Sequence, residues 1–235
     1  MNRLLIIPAR SGSKRIKNKN IKFFYGKPII NYTISTAKKS RLFDIIHVST
    51  NSNKILNLVK KLNVNVDFLR PKKLSNDTAS LLEVIKFVIE KFKKNSFFFK
   101  EVWIFMPCAP LVLKTDLFNA SKILNKKNNS AFTSVVENSN HPQWSFFIKD
   151  SFLQPLDVKS LSKRSQQLKK TYFDVGLLAG WKTNYFLNNF KNKKKYKFFP
   201  LVLNKFQSID IDNINDWRFA EIIYKNKLHT KKIYK

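Results

Sequence analysis

Leu4-Leu5-Ile6-Ile7-Pro8-Ala9-Arg10-Ser11-Gly12-Ser13-Lys14-Arg15 decides the reading of this chain, with Lys17, Lys19 and Asn20 just behind it. A short apolar run ends in a loop of one glycine, two serines, two arginines and three lysines. A buried strand that opens into such a loop reads as a site for a polyanion. Backbone N–H groups and hydroxyls cradle phosphates there, and the cations neutralise them. The order strand, loop, helix puts the site at the carboxyl end of the first strand, where open α/β sheets bind ligands. An ordinary basic βα turn would carry similar residues. The loop lacks the Gly-Lys-Ser/Thr ending of a P-loop, and its single glycine does not make a dinucleotide fingerprint.

Outward from that loop, strand and helix patterns alternate. Strands are expected at Arg3–Pro8, Ile45–Thr50, Val64–Phe68, Val102–Met106 and Ala131–Val136. Amphipathic helices are expected at Pro28–Lys39, Asn53–Leu62, Ala79–Lys93 and Lys114–Asn125, with Asp116 favourable in the last one's first turn. Several apolar runs are too uniform for half-exposed strands, which predicts a mainly parallel sheet covered on both faces. The whole gives an α/β layered fold. From 138 to 172 the rhythm breaks around His141-Pro142-Gln143-Trp144, an excursion from the main sheet. It resumes at Tyr172–Trp181 and Lys197–Val202. It closes with a strand at Phe206–Asp212, a helix at Asn213–Tyr224 and a solvated tail from Lys225.

At 235 residues the expectation is one domain, 1–235. Cys108 is the only cysteine, so neither a disulfide framework nor a cysteine-based zinc site is available, and a reducing compartment fits. No stretch approaches the roughly 18–20 apolar residues of a membrane span. A soluble, cytoplasmic protein with no membrane partner is expected. The formal net charge of +30 suggests nucleic acid as a partner. Against that, the 45 cations include only seven arginines, at 3, 10, 15, 41, 70, 164 and 218. Lysine, asparagine and phenylalanine are abundant together, as an AT-rich coding sequence would produce. The charge is therefore read as solvated surface, with no nucleic-acid partner expected. The scarce arginines then mark places that need a planar fork for phosphate or carboxylate.

Three further elements carry chemistry. In Ser208-Ile209-Asp210-Ile211-Asp212 the two aspartates would project from one face of a strand. Like charges so close need a cation, and Mg²⁺ held by one or two carboxylates plus phosphate oxygens fits. The plain alternative has Asp212 capping the next helix. In Phe68-Leu69-Arg70-Pro71, followed by Ser75-Asn76-Asp77-Thr78, Arg70 would fork onto a phosphate or a base carbonyl. Asp77 or Thr78 would equally serve as a helix cap. Cys108, between Pro107 and Pro110, has no base beside it in sequence and is not read as a nucleophile. His141 is read as a satisfied structural histidine, with a substrate contact as the alternative. Phe97-Phe98-Phe99 is read as core or dimer contact.

In order and spacing these residues resemble the acylneuraminate cytidylyltransferase family. The anchors are Ala9-Arg10 with Ser13-Lys14 and Lys19-Asn20, Gly26-Lys27-Pro28-Ile29, Val48-Ser49-Thr50, Leu69-Arg70-Pro71 with Ser75, Asp77 and Thr78, Pro107 with Pro110-Leu111, Arg164-Ser165-Gln166, and Asp210-Ile211-Asp212. The chain looks most like the branch that acts on pseudaminic acid, on Tyr172-Phe173-Asp174-Val175-Gly176 among others. Val175 stands where the sialic acid branch usually has asparagine, Asn51 replaces a frequent acid, and Met106 a frequent polar residue.

The resemblance implies a Rossmann-like nucleotidyltransferase fold with 138–172 as a small dimerisation and sugar-site arm. It implies a homodimer that couples CTP to a nine-carbon keto-sugar acid with Mg²⁺. Arg10, Ser11, Gly12, Ser13, Lys14, Lys19, Asn20, Arg70 and Asp77 would then bind nucleotide. Arg164, Gln166 and Asp174 would face the sugar, and Asp210 and Asp212 would hold the metal. Arg10, Lys19 and Asp210 would be catalytic. The rivals are a sibling enzyme for N-acetylneuraminic or legionaminic acid and, from another class, a non-catalytic nucleic-acid-binding protein.

Overall fold

The computed structural model describes residues 2–64, 66–190 and 197–233, the last few by backbone alone. Its centre is a six-stranded sheet with the order β10-β6-β9-β5-β1-β4. β1 (Arg3–Pro8) pairs in parallel with β4 (Ile45–Ser49) and with β5 (Glu101–Phe105). β6 (Ala131–Glu137) pairs in parallel with β10 (Phe199–Val202). β9 (Tyr172–Lys182) runs antiparallel between β5 and β6. The expected mainly parallel sheet is present, with one inverted strand joining its two halves.

Both faces are covered, as the uniform apolar runs require. Alternation along β1 sends Leu5 and Ile7 to one face and Leu4 and Ile6 to the other. The first face is covered by α1 (Ile30–Ser40), α2 (Asn53–Lys60) and α4 (Lys114–Asn125) through Ile30, Ile34, Ile55, Val59, Leu117 and Leu124. The second is covered by α3 (Leu81–Lys94) and α5 (Thr183–Asn189) through Ile85, Val88, Phe92 and Phe186. A third cluster joins Ile16 of the basic loop, Phe24 of β2 (Phe23–Phe24), Ile211, and Trp217 of α6 (Ile214–Ile233). It clamps the loop to the end of the chain. β2 forms a small ribbon with β3 (Lys27–Pro28), so Pro28 precedes α1 and does not sit in its first turn.

Three expectations change. Val64–Phe68 forms no ladder among its described residues. It is held against β4 by side chains instead: Asp67 Oδ2 lies 3.1 Å from His47 Nδ1, and the Phe68 ring lies 4.5 Å from that imidazole. Phe206–Asp212 is not a strand either. The Gln207 N–H turns back to Asn204 O, and the Asp212 N–H goes to the Asp216 carboxylate, so donors a ladder would need are used locally. The last helix does not end at Tyr224: α6 continues to Ile233.

The 138–172 excursion folds as a hairpin of its own, β7 (Phe146–Lys149) against β8 (Phe152–Pro155). The Trp144 indole donates to the Ser160 carbonyl at 2.8 Å and ties down its base.

Gly180 on β9 is fixed by packing. A Cβ there would stand 2.5 Å from Phe132 Cε1 and 3.1 Å from Trp103 Cδ1, both on fully buried rings. Gly180→Ala should therefore destabilise the fold by about 1–3 kcal/mol, the usual cost of overpacking. A lowered urea midpoint at unchanged slope checks this; an unchanged midpoint would mean that the rings move aside.

Candidate active site

The loop after β1 forms one wall of a cavity of about 450 Å³ at the carboxyl end of the sheet. Arg10, Ser13, Lys14, Arg15, Lys19 and Asn20 line it, opposite Asp210 and Asp212. Pro8, Ile16, Asp77, Met106, Pro107, Cys108 and Leu177 complete the lining. Local bonds set the loop's shape. Ser11 N–H and Oγ both reach Asn51 Oδ1, at 2.9 and 3.2 Å. Gly12 turns the chain at φ 88°, a left-handed value that favours glycine. Buried Asn20 donates to Arg10 O at 2.9 Å and accepts from the Cys108 thiol at 3.3 Å. Asn20 thus braces the two ends of the loop as well as lining the cavity.

The cations are held in place. Asp77 Oδ1 takes Arg10 and its Oδ2 takes Lys14, both at 2.6 Å. These contacts hold the exposed Asp77 carboxyl well down, at about 2. Lys19 Nζ donates to Ile211 O at 2.6 Å and lies 3.4 Å from Asp212 Oδ1, which also meets Arg15 at 2.9 Å. Asp212 does not cap α6. Asn213 Oδ1 accepts from the N–H groups of Asn215 and Asp216, and Asp216 closes the turn backwards. Nor do Asp77 and Thr78 cap α3, where Ser80 and Glu83 form the reciprocal box. The carboxylates left over from capping face the cavity.

The two aspartates meet by a different route from strand alternation. Ile211 between them is fully buried in the third cluster, and the residues on either side turn to the cavity. Burial against the wall, and then the charge of Asp212, push the Asp210 carboxyl up, while Lys19 and Arg15 oppose. Asp210 makes no hydrogen bond or ion pair among the described residues. Among them, too, no three His, Cys, Asp or Glu side chains cluster to hold a metal unaided. Two carboxylates beside a phosphate-type loop fit Mg²⁺, which takes few protein ligands when phosphate oxygens supply the rest.

Arg70 lies in an adjoining cleft that shares Pro8, Arg10, Asp77 and Met106 with the main cavity. It is 6 % exposed. Its guanidinium donates only to neutral acceptors, Ser49 Oγ at 3.1 Å and Ser49 O at 2.6 Å. Burial, and then the neighbouring Arg10 charge, lower its pKa to about 10. A buried guanidinium with another cation beside it and no carboxylate of its own is the setting of an anion site.

The structure does not bring every expected residue to the cavity. Ser11 and Gly12 shape the loop without lining it. Arg164 and Gln166 lie exposed in the excursion and are not among the lining residues. Asp174 Oδ1 accepts from Gly176 N–H at 2.8 Å and Thr133 Oγ1 at 3.1 Å, where the β6–β9 register shifts. That irregularity delivers Leu177 to the cavity wall. Arg15 and Leu177 were missed: the scarcity of arginine pointed to the first, and nothing in the sequence to the second. His141 differs from its expected role too. Its Nδ1 is buried without a partner.

The cytidylyltransferase family model matches residues 4–167. The chain belongs to the cytidylyltransferase family. It is 35 % identical to a pseudaminic acid cytidylyltransferase of Campylobacter jejuni, over 96 % of this chain and 97 % of that one. It is 29 % identical to a CMP-N,N'-diacetyllegionaminic acid synthase of Legionella pneumophila, over 94 % and 95 %. It is 27 % identical to an N-acylneuraminate cytidylyltransferase of Escherichia coli, over 97 % of this chain and 53 % of that one. The fold matches a CMP:2-keto-3-deoxy-manno-octonic acid synthetase solved with CTP, at TM-score 0.70 and 13 % identity, covering 97 % of this chain and all of that one. The chain is a CTP-using nucleotidyltransferase.

Cys108 lines this cavity but is only 6 % exposed, and burial pushes its thiol up to about 12. Little thiolate forms near neutral pH. The folded protein at pH 8 should resist iodoacetamide for hours and take one label once unfolded, as mass spectrometry would show. Rapid labelling of the folded chain would contradict the burial.

Proposed function

We propose that this cytidylyltransferase couples CTP to a nonulosonic acid, pseudaminic acid foremost, releasing pyrophosphate. The observation that carries the reading is the cleft lined by Arg10 and Arg70, adjoining a cavity that Lys14, Lys19 and two aspartates line. The choice of acid rests on relatives: the pseudaminic enzyme of Campylobacter jejuni is more similar than the legionaminic and neuraminic ones cited above.

In this reading the sugar's anomeric hydroxyl attacks the α-phosphorus. The new O–P bond forms as the bond to the bridging oxygen breaks, the hydroxyl proton passes to solvent, and positioning and charge neutralisation carry most of the catalysis. Ser13, Lys14 and Arg70 would bind the triphosphate. Arg10 and Lys19 would stand nearest the charge that develops on pyrophosphate. Asp77 holds Arg10 and Lys14 extended before nucleotide arrives. Asp210 and Asp212 would hold Mg²⁺, which when bound supplies positive charge to phosphate oxygens. Arg164 would pair with the sugar carboxylate bidentately, with Gln166 and Asp174 nearby; for this the arm must close over the cavity or be presented by a partner subunit.

A homodimer fits the arm. Ile148 and Phe152 are 80 % and 77 % exposed on the hairpin, and Gln143 Oε1 at its base is buried without a partner. No helix among the described residues is long and apolar enough to cross a membrane. A cytoplasmic location agrees with a substrate such as CTP.

Pyrophosphate release should be assayed with CTP, Mg²⁺ and pseudaminic, N-acetylneuraminic or legionaminic acid in parallel. Release with pseudaminic acid alone is expected. Release only with another acid would replace the sugar and keep the reaction, and release with none would overturn the reading. Asp210→Asn should abolish turnover while leaving the unfolding curve unchanged; wild-type rates would remove it from the site. Arg164→Ala should raise KM for the acid more than KM for CTP, and the reverse would reassign it to the nucleotide.

A further inference from the structure

A second cavity, of about 560 Å³, is built on the other end of the loop that follows β5. The candidate active site takes Met106, Pro107 and Cys108 from that loop; the second cavity takes Pro110, Val112 and Leu113, and the two share no residue. Four cations line it: Lys39 from the end of α1, Arg41 just beyond, which also borders a neighbouring cleft with Asp44 and Glu101, Lys114 from α4 and Lys227 from α6. No carboxylate lines it. Lys227 Nζ donates to Leu111 O at 3.4 Å, and its charge also acts on Asp116, which is engaged with Leu113 N–H and Gln207. Among the described residues Lys39, Arg41 and Lys114 form no ion pair. Like charges gathered around a concave wall raise the local potential and draw anions there.

The wall also has the right donors and shape. Ser35 adds a hydroxyl to one side, beside Thr36. Tyr32 and Tyr224, edge to face with ring centres 5.1 Å apart, add an aromatic side. Arg41 is one of only seven arginines in a chain that otherwise uses lysine, and its planar fork suits a phosphate with several oxygens better than an ammonium does. The volume lies within the roughly 300–1,000 Å³ of small-molecule sites. Helix α1 joins this wall to the candidate active site. Thr33 Oγ1 donates to Met106 O and Pro107 O at 3.0 and 3.2 Å, and Thr36 Oγ1 to Val112 O at 3.4 Å.

We propose that this cavity is a second ligand site, for a small phosphate-bearing anion, distinct from the candidate active site. The cations hold the phosphate and the tyrosine pair flanks whatever the phosphate carries. The site is independent of which sugar acid the enzyme activates.

Calorimetric titration at fixed ionic strength, with inorganic pyrophosphate and with CMP as separate probes, tests it. The wild type should bind two equivalents of pyrophosphate. Arg10→Ala/Lys14→Ala should keep the second cavity's equivalent. Arg41→Ala/Lys114→Ala, both exposed positions, should weaken that equivalent roughly tenfold or more, as loss of charged hydrogen bonds does, and leave KM for CTP unchanged. Lys22→Ala/Lys54→Ala removes as much charge elsewhere and should change neither. Tighter binding of CMP than of pyrophosphate at the second equivalent would assign the ligand as a nucleotide, and the reverse as an inorganic phosphate. Saturation at one equivalent in the wild type, two undiminished equivalents in Arg41→Ala/Lys114→Ala, or equal losses in the Lys22→Ala/Lys54→Ala control would overturn the proposal. Loss of pyrophosphate release with every sugar acid would overturn the function reading and leave this one standing.

Discussion

Arg70 carries a positive charge into the interior with no negative charge of its own to meet it. It hangs from Ser49 at the end of β4 by two bonds to neutral oxygens, and Arg10 at the end of β1 stands beside it. Such an arrangement opposes folding, because burial and like charge both disfavour the guanidinium. The rest of the site offsets it. Asp77 pairs with Arg10 and Lys14, and the Ser49–Thr50 backbone fixes Arg70 itself. What remains is a gap, lined by Arg10 and Arg70, in which Arg70 has no carboxylate to balance its charge and a bound anion would do so. Ligand binding and local stability are linked through that gap, since an anion that binds the folded state alone stabilises it.

The fold makes this possible through its order of strands. β1 lies between β4 and β5, so the loops after all three open at one edge. The basic loop follows β1, Arg70 is held by the end of β4, and Met106 to Cys108 follow β5. The inverted β9 brings a different element, Leu177, to the same place from the opposite direction. The chain end then folds back: Ile211 and Trp217 pack on Ile16, so the acidic and basic walls of the cavity are joined by one apolar cluster. Asp210 and Asp212 are far from Arg10 in sequence and near it in space for that reason.

Much of this was legible from residues. β1 and α4 fall where their periodicities put them, because an unbroken apolar run and an amphipathic face are local signals that tertiary packing reinforces. The basic loop was legible because glycine and arginine are scarce in this chain. Val64–Phe68 and Phe206–Asp212 misled because β-branched and aromatic residues also pack well as irregular segments. In the first, His47 and Asp67 supply the bond that a neighbouring strand would have made. In the second, Asp216 takes the N–H. Both substitutions depend on residues distant in sequence from the segment read, or on a cap that competes with a ladder. The Asp174 turn shows the same limit: its carboxylate serves its own backbone, and sequence gives no means of telling that from a ligand contact.

The exposed hairpin is the surface that the proposed homodimer would use. Phe147, Ile148, Phe152 and Leu153 stand in solvent on a two-stranded ribbon, and such a ribbon is marginal alone. Its base is bonded down through Trp144, and the apolar strands stay uncovered in the single chain. Arg164 and Gln166 belong to the same excursion and lie outside the cavity. If a second copy covers the ribbon, covering the apolar surface and carrying Arg164 over a cavity become one event. Sugar recognition would then depend on assembly, whereas the residues proposed to hold the triphosphate all come from one chain.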